Sequence, residues 1–306
     1  MPELPDVEVY VKALRRFVVG RRLRSVRLQS PFLLRSVTPS LDETVGLTVV
    51  SISRMGKRIV MALEGDYFLV LHLMIAGRLR WKKPGTAVPR RWGLAAFDFE
   101  NGTLLFTEAG SRKRASLHVV QGEKALREHD PGGLEILDSN FSQFDRVLRS
   151  ENHTLKRALT DPSLFSGVGN AYSDEILHAA GLSPLQRTAN LTEEQSRRLF
   201  EACRKTLSAW TERLLADTGD RFPEKVTAFR TGMAVHGRYR QPCPVCSTPI
   251  QRIVYADSES NYCPQCQTEG RLLADRVLSQ LLRQDWPKTW EDLEKRRSSS
   301  SAKEDE

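Results

Sequence analysis

The chain has 306 residues, which is enough for two domains each with its own core. Its hydrophobic fraction of 40% and charged fraction of 27% exclude a chain too polar to fold. A net charge of +8 favours a polyanionic partner, and no run reaches the roughly eighteen apolar residues of a membrane span.

The chain opens Met1-Pro2-Glu3-Leu4-Pro5-Asp6. An initiator methionine before proline is usually removed, which leaves Pro2 with a free secondary amine. Its α-amino pKa lies near neutrality, so a useful fraction is unprotonated and nucleophilic. Glu3 beside it can move the proton that such chemistry requires. Val7, Val11, Leu14 and Val18 recur at helical spacing over residues 7–19, with Gly20 as a C-cap. A helix starting this close to Pro2 holds the terminal amine in place.

Residues 22–120 read as β structure, with short runs at 26–28, 47–52, 59–63, 68–73, 94–99 and 104–106. Gly65-Asp66 and Asn101-Gly102 mark turns between them. Evenly spaced short strands predict a sandwich or flattened barrel. Lys57 falls in the turn Met55-Gly56-Lys57. Two basic loops follow, Lys82-Lys83 with Arg90-Arg91 and Arg112-Lys113-Arg114, and Trp81 and Trp92 flank the first. Basic loops with interleaved aromatics line nucleic-acid clefts as well as solvated faces.

His129-Asp130-Pro131-Gly132-Gly133 marks a domain boundary, and the pattern beyond it is helical. Residues 155–159 form a short helix. Gly167-Val168-Gly169-Asn170 opens another over 171–180, where exposed N–H groups can hold a phosphate. A longer helix spans 192–215, and Cys203 on it is a buried apolar residue.

Cys243-x2-Cys246 and Cys263-x2-Cys266, sixteen residues apart, have the spacing of a four-cysteine zinc ribbon built on a β-hairpin. In a reducing cytoplasm this pairing argues for metal over disulfides. Four thiolates leave no open coordination position, so one zinc ion with a structural role is expected. An amphipathic helix carrying Leu272, Leu273, Val277, Leu278, Leu281 and Leu282 follows, and residues 296–306 read as a disordered polar tail.

Together these pieces resemble the formamidopyrimidine-DNA glycosylase and endonuclease VIII family. The matching residues are Pro2-Glu3-Leu4-Pro5, Lys57, His72-Leu73 with Gly77, Gly167-Val168-Gly169-Asn170 with Tyr172 and Glu175, and Gly237-Arg238 before Pro242-Cys243. The resemblance runs from Pro2 to about Gln267. It implies an α+β protein: an N-terminal helix plus β-sandwich (1–130), a helix–two-turn–helix domain (140–235), a zinc finger (236–270), then a C-terminal helix and tail (271–306).

It also implies a base-excision-repair DNA glycosylase with AP lyase (β,δ-elimination) activity on oxidised or ring-opened bases. Such an enzyme is a monomer located in the cytoplasm at the nucleoid, and its partner is damaged double-stranded DNA held in a basic cleft between domains. Pro2 would be the nucleophile and Glu3 the proton donor, with Lys57 and Asn170 gripping flanking phosphates.

Several positions depart from the family pattern. Asp6 stands where a glutamate is usual. Leu73-Met74-Ile75-Ala76 replaces Leu-Gly-Met-Ser before Gly77, so the void-filling role falls on Ile75 or Met74. Arg114 ends a triplet that is commonly Arg-Arg-Phe. Ser258 occupies the place of the finger's phosphate-binding arginine, with Arg252 across the hairpin as its substitute. The segment 229–238 is short, as in endonuclease VIII, which predicts poor excision of 8-oxoguanine. The competing readings are a DNA-binding protein of this fold that excises nothing, and an unrelated zinc-ribbon protein.

Overall fold

The computed structural model describes residues 1–110, 112–224, 226–227, 229–255, 258–273 and 287–301. The chain forms two compact units: Met1–Glu135 with Leu207–Ala228, and Ile136–Thr206 with Phe229–Glu306.

The first unit begins with α1 (Leu4–Val18), three residues earlier than its apolar periodicity indicates. The start is set by chemistry at its first turn. Glu3 is the N-cap, and Asp6 at the third helical position accepts the Glu3 N–H at 2.9 Å, giving a reciprocal capping box. Val7, Tyr10, Val11, Leu14 and Val18 then form one buried stripe.

Eight antiparallel strands follow: β1 (Ser25–Leu28), β2 (Val49–Met55), β3 (Arg58–Leu63), β4 (Tyr67–His72), β5 (Gly77–Lys82), β6 (Gly93–Phe99), β7 (Gly102–Glu108) and β8 (Ser116–Gln121). They make two four-stranded sheets, ordered β1-β6-β7-β5 and β2-β3-β4-β8. Ile59, Met61, Leu69, Leu71 and Leu117 of one sheet share a core with Leu79, Phe97, Leu104 and Phe106 of the other and with α1, which makes the unit a sandwich. Each such side chain contributes roughly 1.5–3 kcal/mol by leaving water. The outer face of the second sheet is covered too: Val60, Phe68, Val70 and Val120 pack against Leu126 of α2 (Glu123–Arg127). This is why β3 and β4 read as continuous apolar runs instead of alternating ones.

Two strands escape the sequence reading. In β5 the basic residues Arg78, Arg80 and Lys82 alternate with buried Leu79, a pattern obscured by the Lys82-Lys83 run. β8 pairs with β4 immediately after the Arg112-Lys113-Arg114 loop. Residues 74–76 are a turn joining β4 to β5 and not part of a strand; Gly77 N–H bonds back to Leu73 O at 2.8 Å. A Cβ on Gly77 would sit 2.2 Å from that oxygen, so only glycine closes the turn.

The second unit contains α3 (Phe141–Leu148), α4 (Leu155–Thr160), α5 (Asn170–Ala180) and α6 (Glu193–Thr218), with the unit division falling inside α6. Phe144 packs on Phe165 and Phe200, with ring centroids at 4.9 and 5.1 Å, and Cys203 is fully buried as expected. α3 was not anticipated, although Asn140 and Gln143 form a reciprocal capping box at its start. The finger is the hairpin β9 (Gln251–Tyr255) and β10 (Ser258–Tyr262), followed by α7 (Pro264–Thr268).

Two further readings change. α6 runs to Thr218, and the first bridge of the finger is at Pro242, so more chain separates these two elements than the 229–238 segment considered above. α8 (Trp290–Ser301) takes in residues 296–301, read above as disordered. Thr289 Oγ1 caps it by accepting the Asp292 N–H at 3.2 Å, and Glu291 and Asp292 favour its first turn. The amphipathic helix expected around Val277–Leu282 lies outside the described residues.

Candidate functional site

The first unit gathers its chemistry at the start of α1. Pro2, Glu3 and Asp6 are all buried, and the capping box fixes the two carboxylates against the helix terminus. Lys57 occupies the two-residue turn between β2 and β3, where Met55 pairs directly with Arg58. Arg54 braces that turn. Its guanidinium donates to Gly56 O at 3.0 Å, to Glu8 of α1 at 2.8 Å and to Glu135 at 2.6 Å, so turn and helix share one anchor. Arg54 keeps its charge because the two carboxylates outweigh its burial. No motif in the sequence singles it out, since its partners are 46 and 81 residues away.

The electrostatics of this pocket lower both of its amines. Burial pulls the Lys57 ammonium below its usual pKa, with Glu3 opposing. The Met1 amine is lowered as well, by burial first; Glu3 and Asp6 push it up, while Arg78 and Lys57 push it down. Arg78 of β5 donates to Val226 O at 2.6 Å and to Ile75 O at 3.2 Å, holding the 74–76 turn. That turn carries Met74 at φ +51° and presents Ile75 at its tip, 54% exposed. His72 next to it is lowered to about 4 by burial and by Arg58 and Lys57, so its ring is neutral at pH 7.

The loop after β7 is folded around Glu108, a residue that no motif marks. Its buried carboxylate accepts the N–H of Arg114 at 3.0 Å and of Ala115 at 3.2 Å, and the Lys113 ammonium donates to its carbonyl. Arg112 and Arg114 point outward from this loop and are exposed. Beside it is a pocket of about 470 Å³ lined by Arg91, Trp92, Ala109, Gly110 and Lys113.

In the second unit the organising element is α5. Gly169 is its N-cap, and Asn170 is its first residue, next to the cap. The Asn170 amide donates to Glu259 O at 2.9 Å, while Lys156 donates to Asn170 O at 2.7 Å. Asp174, fully buried, meets Lys156 at 2.6 Å, His236 at 2.8 Å, Ser260 at 3.1 Å and Asn261 at 3.3 Å. Burial raises its pKa, but Lys156 and His236 outweigh that and hold it below the usual carboxylate value. Glu175 accepts three backbone N–H groups, from Ala234, Val235 and His236, at 2.7–2.9 Å. These two adjacent carboxylates fasten the finger to α5.

Cys243, Cys246, Cys263 and Cys266 place their sulfurs within 4.8 Å of one another. The Cys243–Cys266 and Cys246–Cys266 separations are 3.9 and 3.4 Å, too long for disulfides. A zinc–sulfur bond of ~2.3 Å in a tetrahedron requires sulfurs roughly 3.8 Å apart, so the set fits one zinc ion. Without a cation the sulfurs cannot all ionise, because burial and neighbouring sulfur push Cys266 up to about 12. Zinc supplies the positive charge that makes them thiolates. His178 of α5 places Nε2 3.3 Å from Cys243 Sγ.

Arg252 is already engaged: it pairs with Glu259 at 3.1 Å and lies 4.4 Å over the Tyr239 ring.

Three family models match the chain: the formamidopyrimidine-DNA glycosylase N-terminal domain over residues 1–115, its H2TH domain over 133–214, and the zinc finger found in FPG and IleRS over 240–268. A formamidopyrimidine-DNA glycosylase from Thermus thermophilus is 35% identical over 285 residues, covering 88% of this chain and all of that protein. One from Solibacter usitatus is 32% identical, covering 87% and 99%. The crystal structure of the MutM (Fpg) protein of Thermus thermophilus superposes with a TM-score of 0.73 at 34% identity, over 87% of this chain and 98% of that one. The Lactococcus lactis enzyme bound to DNA containing an AP site shares the fold, with a TM-score of 0.75 over 87% of this chain and 99% of that one, at 24% identity. Among the described residues, no helix is long and apolar enough to cross a membrane.

Proposed function

The chain belongs to the formamidopyrimidine-DNA glycosylase family, and from that premise we propose that it excises oxidised or ring-opened bases from duplex DNA with the Pro2 amine as nucleophile. One observation carries the reading. The chain terminus is not frayed but seated on α1, against the buried carboxylates of Glu3 and Asp6 and within the field of Lys57.

The target nucleotide leaves the stack, because its glycosidic carbon is unreachable inside the duplex. After loss of Met1, the neutral Pro2 nitrogen attacks C1′ and the base departs with the bonding electrons. The Pro2 nitrogen gives up its N–H proton, which passes to the departing base; its freed lone pair then opens the sugar to an iminium between the Pro2 nitrogen and C1′, while Glu3 protonates the released ring oxygen. That cation acidifies the proton on C2′, whose loss expels the 3′ phosphate; a second elimination expels the 5′ phosphate. Lys57 has two uses here: its charge favours the unprotonated amine, and its ammonium holds a flanking phosphate. Asn170 and the loop residues Arg112, Lys113 and Arg114 hold further phosphates, and Ile75 and Met74 fill the space the nucleotide vacates. The zinc ion plays no part in these steps; it holds the finger. The protein acts as a monomer, in the cytoplasm at the nucleoid.

Arg252 is a weaker substitute for a finger arginine than sequence alone suggests, since Glu259 already neutralises it. The test is single-turnover cleavage of a duplex bearing a ring-opened purine. The expected product is a one-nucleotide gap with phosphate at both ends. Base release with an intact strand would refute the lyase half, and an untouched base would refute the whole.

A further inference from the structure

Asn170, Asp174 and His178 recur every four residues along α5 and so lie on one face of the helix. All three reach the finger. Asn170 bonds to Glu259 O and Asp174 to Ser260 and Asn261, both on the hairpin, whereas His178 reaches Cys243, a metal ligand. We propose that His178 is a positioning residue of the zinc centre: its Nε2–H donates a hydrogen bond to the Cys243 thiolate and ties the metal site to the helix that presents Asn170.

The direction of the bond follows from the chemistry of the acceptor. A zinc-bound cysteine sulfur has lost its proton and can only accept. A bare imidazole nitrogen at 3.3 Å would set its lone pair against that sulfur, so the ring must carry hydrogen on Nε2. Zinc loading therefore selects the tautomer. One Zn²⁺ with four thiolates keeps two negative charges, and donors to sulfur disperse them. Donors come from the finger itself, among them Val245 N–H to Cys243 at 3.5 Å, Cys266 N–H to Cys263 at 3.4 Å, and the N–H and hydroxyl of Thr248 to Cys246. His178 comes from a separate element, and it is buried, so water does not compete for the sulfur. Partners of this kind orient metal ligands, and their loss weakens metal binding by about 10–100-fold.

The alternative is that the imidazole only fills space. Two measurements separate these, and neither involves catalysis, so the result is independent of Pro2. The first replaces zinc with ¹¹³Cd in the full-length protein and looks for scalar coupling between the metal and the His178 Nε2 proton. A resolved coupling is expected, because it travels through a hydrogen bond to the ligating sulfur; its absence overturns the proposal. The second follows zinc loss to a competing chelator. His178→Phe, which fills the space without a donor, should release zinc roughly tenfold faster. His178→Gln, whose amide N–H reaches about as far as Nε2, should release it near the wild-type rate. Equal release by all three proteins overturns the proposal. If His178→Phe fails to fold, the cadmium measurement on the wild-type chain still decides.

Discussion

Asp6 fixes Glu3 at the start of α1, next to the chain terminus. The sequence shows Asp6 only as a departure from the usual glutamate; its role in the capping box emerges from the 2.9 Å bond to the Glu3 N–H. Asp6→Ala removes that cap and should cost about 1 kcal/mol of stability. Cleavage of an abasic-site duplex should fall further than this loss explains, because the amine and Glu3 lose their fixed geometry. Urea unfolding and single-turnover rates measured together check this; an undiminished rate in Asp6→Ala would contradict it. The pH dependence has a definite sign. Only the neutral amine attacks, and at this place in the fold burial, first among the causes, lowers the Met1 amine whose position Pro2 takes over. Activity should therefore fall as pH drops through the pKa of the Pro2 amine, and that midpoint should lie below the one of a proline amine in a short unstructured peptide of the same sequence. An acid limb no lower than the peptide's would be inconsistent with a buried terminus.

At the scale of elements, the zinc ribbon, the helix–sandwich order and the opening of α5 were legible because each has a local signature: cysteine spacing, turn dipeptides, a glycine-rich start. What stayed hidden depends on distant partners. Arg54, Glu108 and Asp174 carry no motif, yet each fixes an element bearing a candidate site residue. The basic strand β5 was masked by its own charges, and the 74–76 turn by flanking apolar residues. Glu108 offers a direct check. Glu108→Ala leaves the amides of Arg114 and Ala115 without their acceptor, so both should exchange hydrogen faster while β4 and β6 stay protected. Unchanged exchange there would mean that the loop is held by something else. Asp174→Ala strands Lys156 and should cost about 3–5 kcal/mol. Because the folded Asp174 pKa is depressed, this stability is present above the unfolded value and disappears as pH falls through the folded one. A urea titration of the variant at pH 7 and of the wild-type chain toward acid measures both.

For the whole molecule, the excess of eight positive charges says that affinity for DNA is largely electrostatic. With about six phosphate contacts, affinity should fall roughly a thousandfold between about 50 and 200 mM salt. Removal of zinc should unfold the finger and weaken DNA binding while the sandwich remains folded, since the first unit has its own core. The central claim is that one particular nitrogen does the chemistry, and borohydride trapping tests it most directly. The wild-type chain is reduced in the presence of an abasic-site duplex, digested, and the modified peptide sequenced by mass spectrometry. The adduct should map to Pro2, and a chain whose N-terminal tag survives processing should give none. An adduct on Lys57, or full trapping by the tagged chain, would place the nucleophile elsewhere and contradict the account.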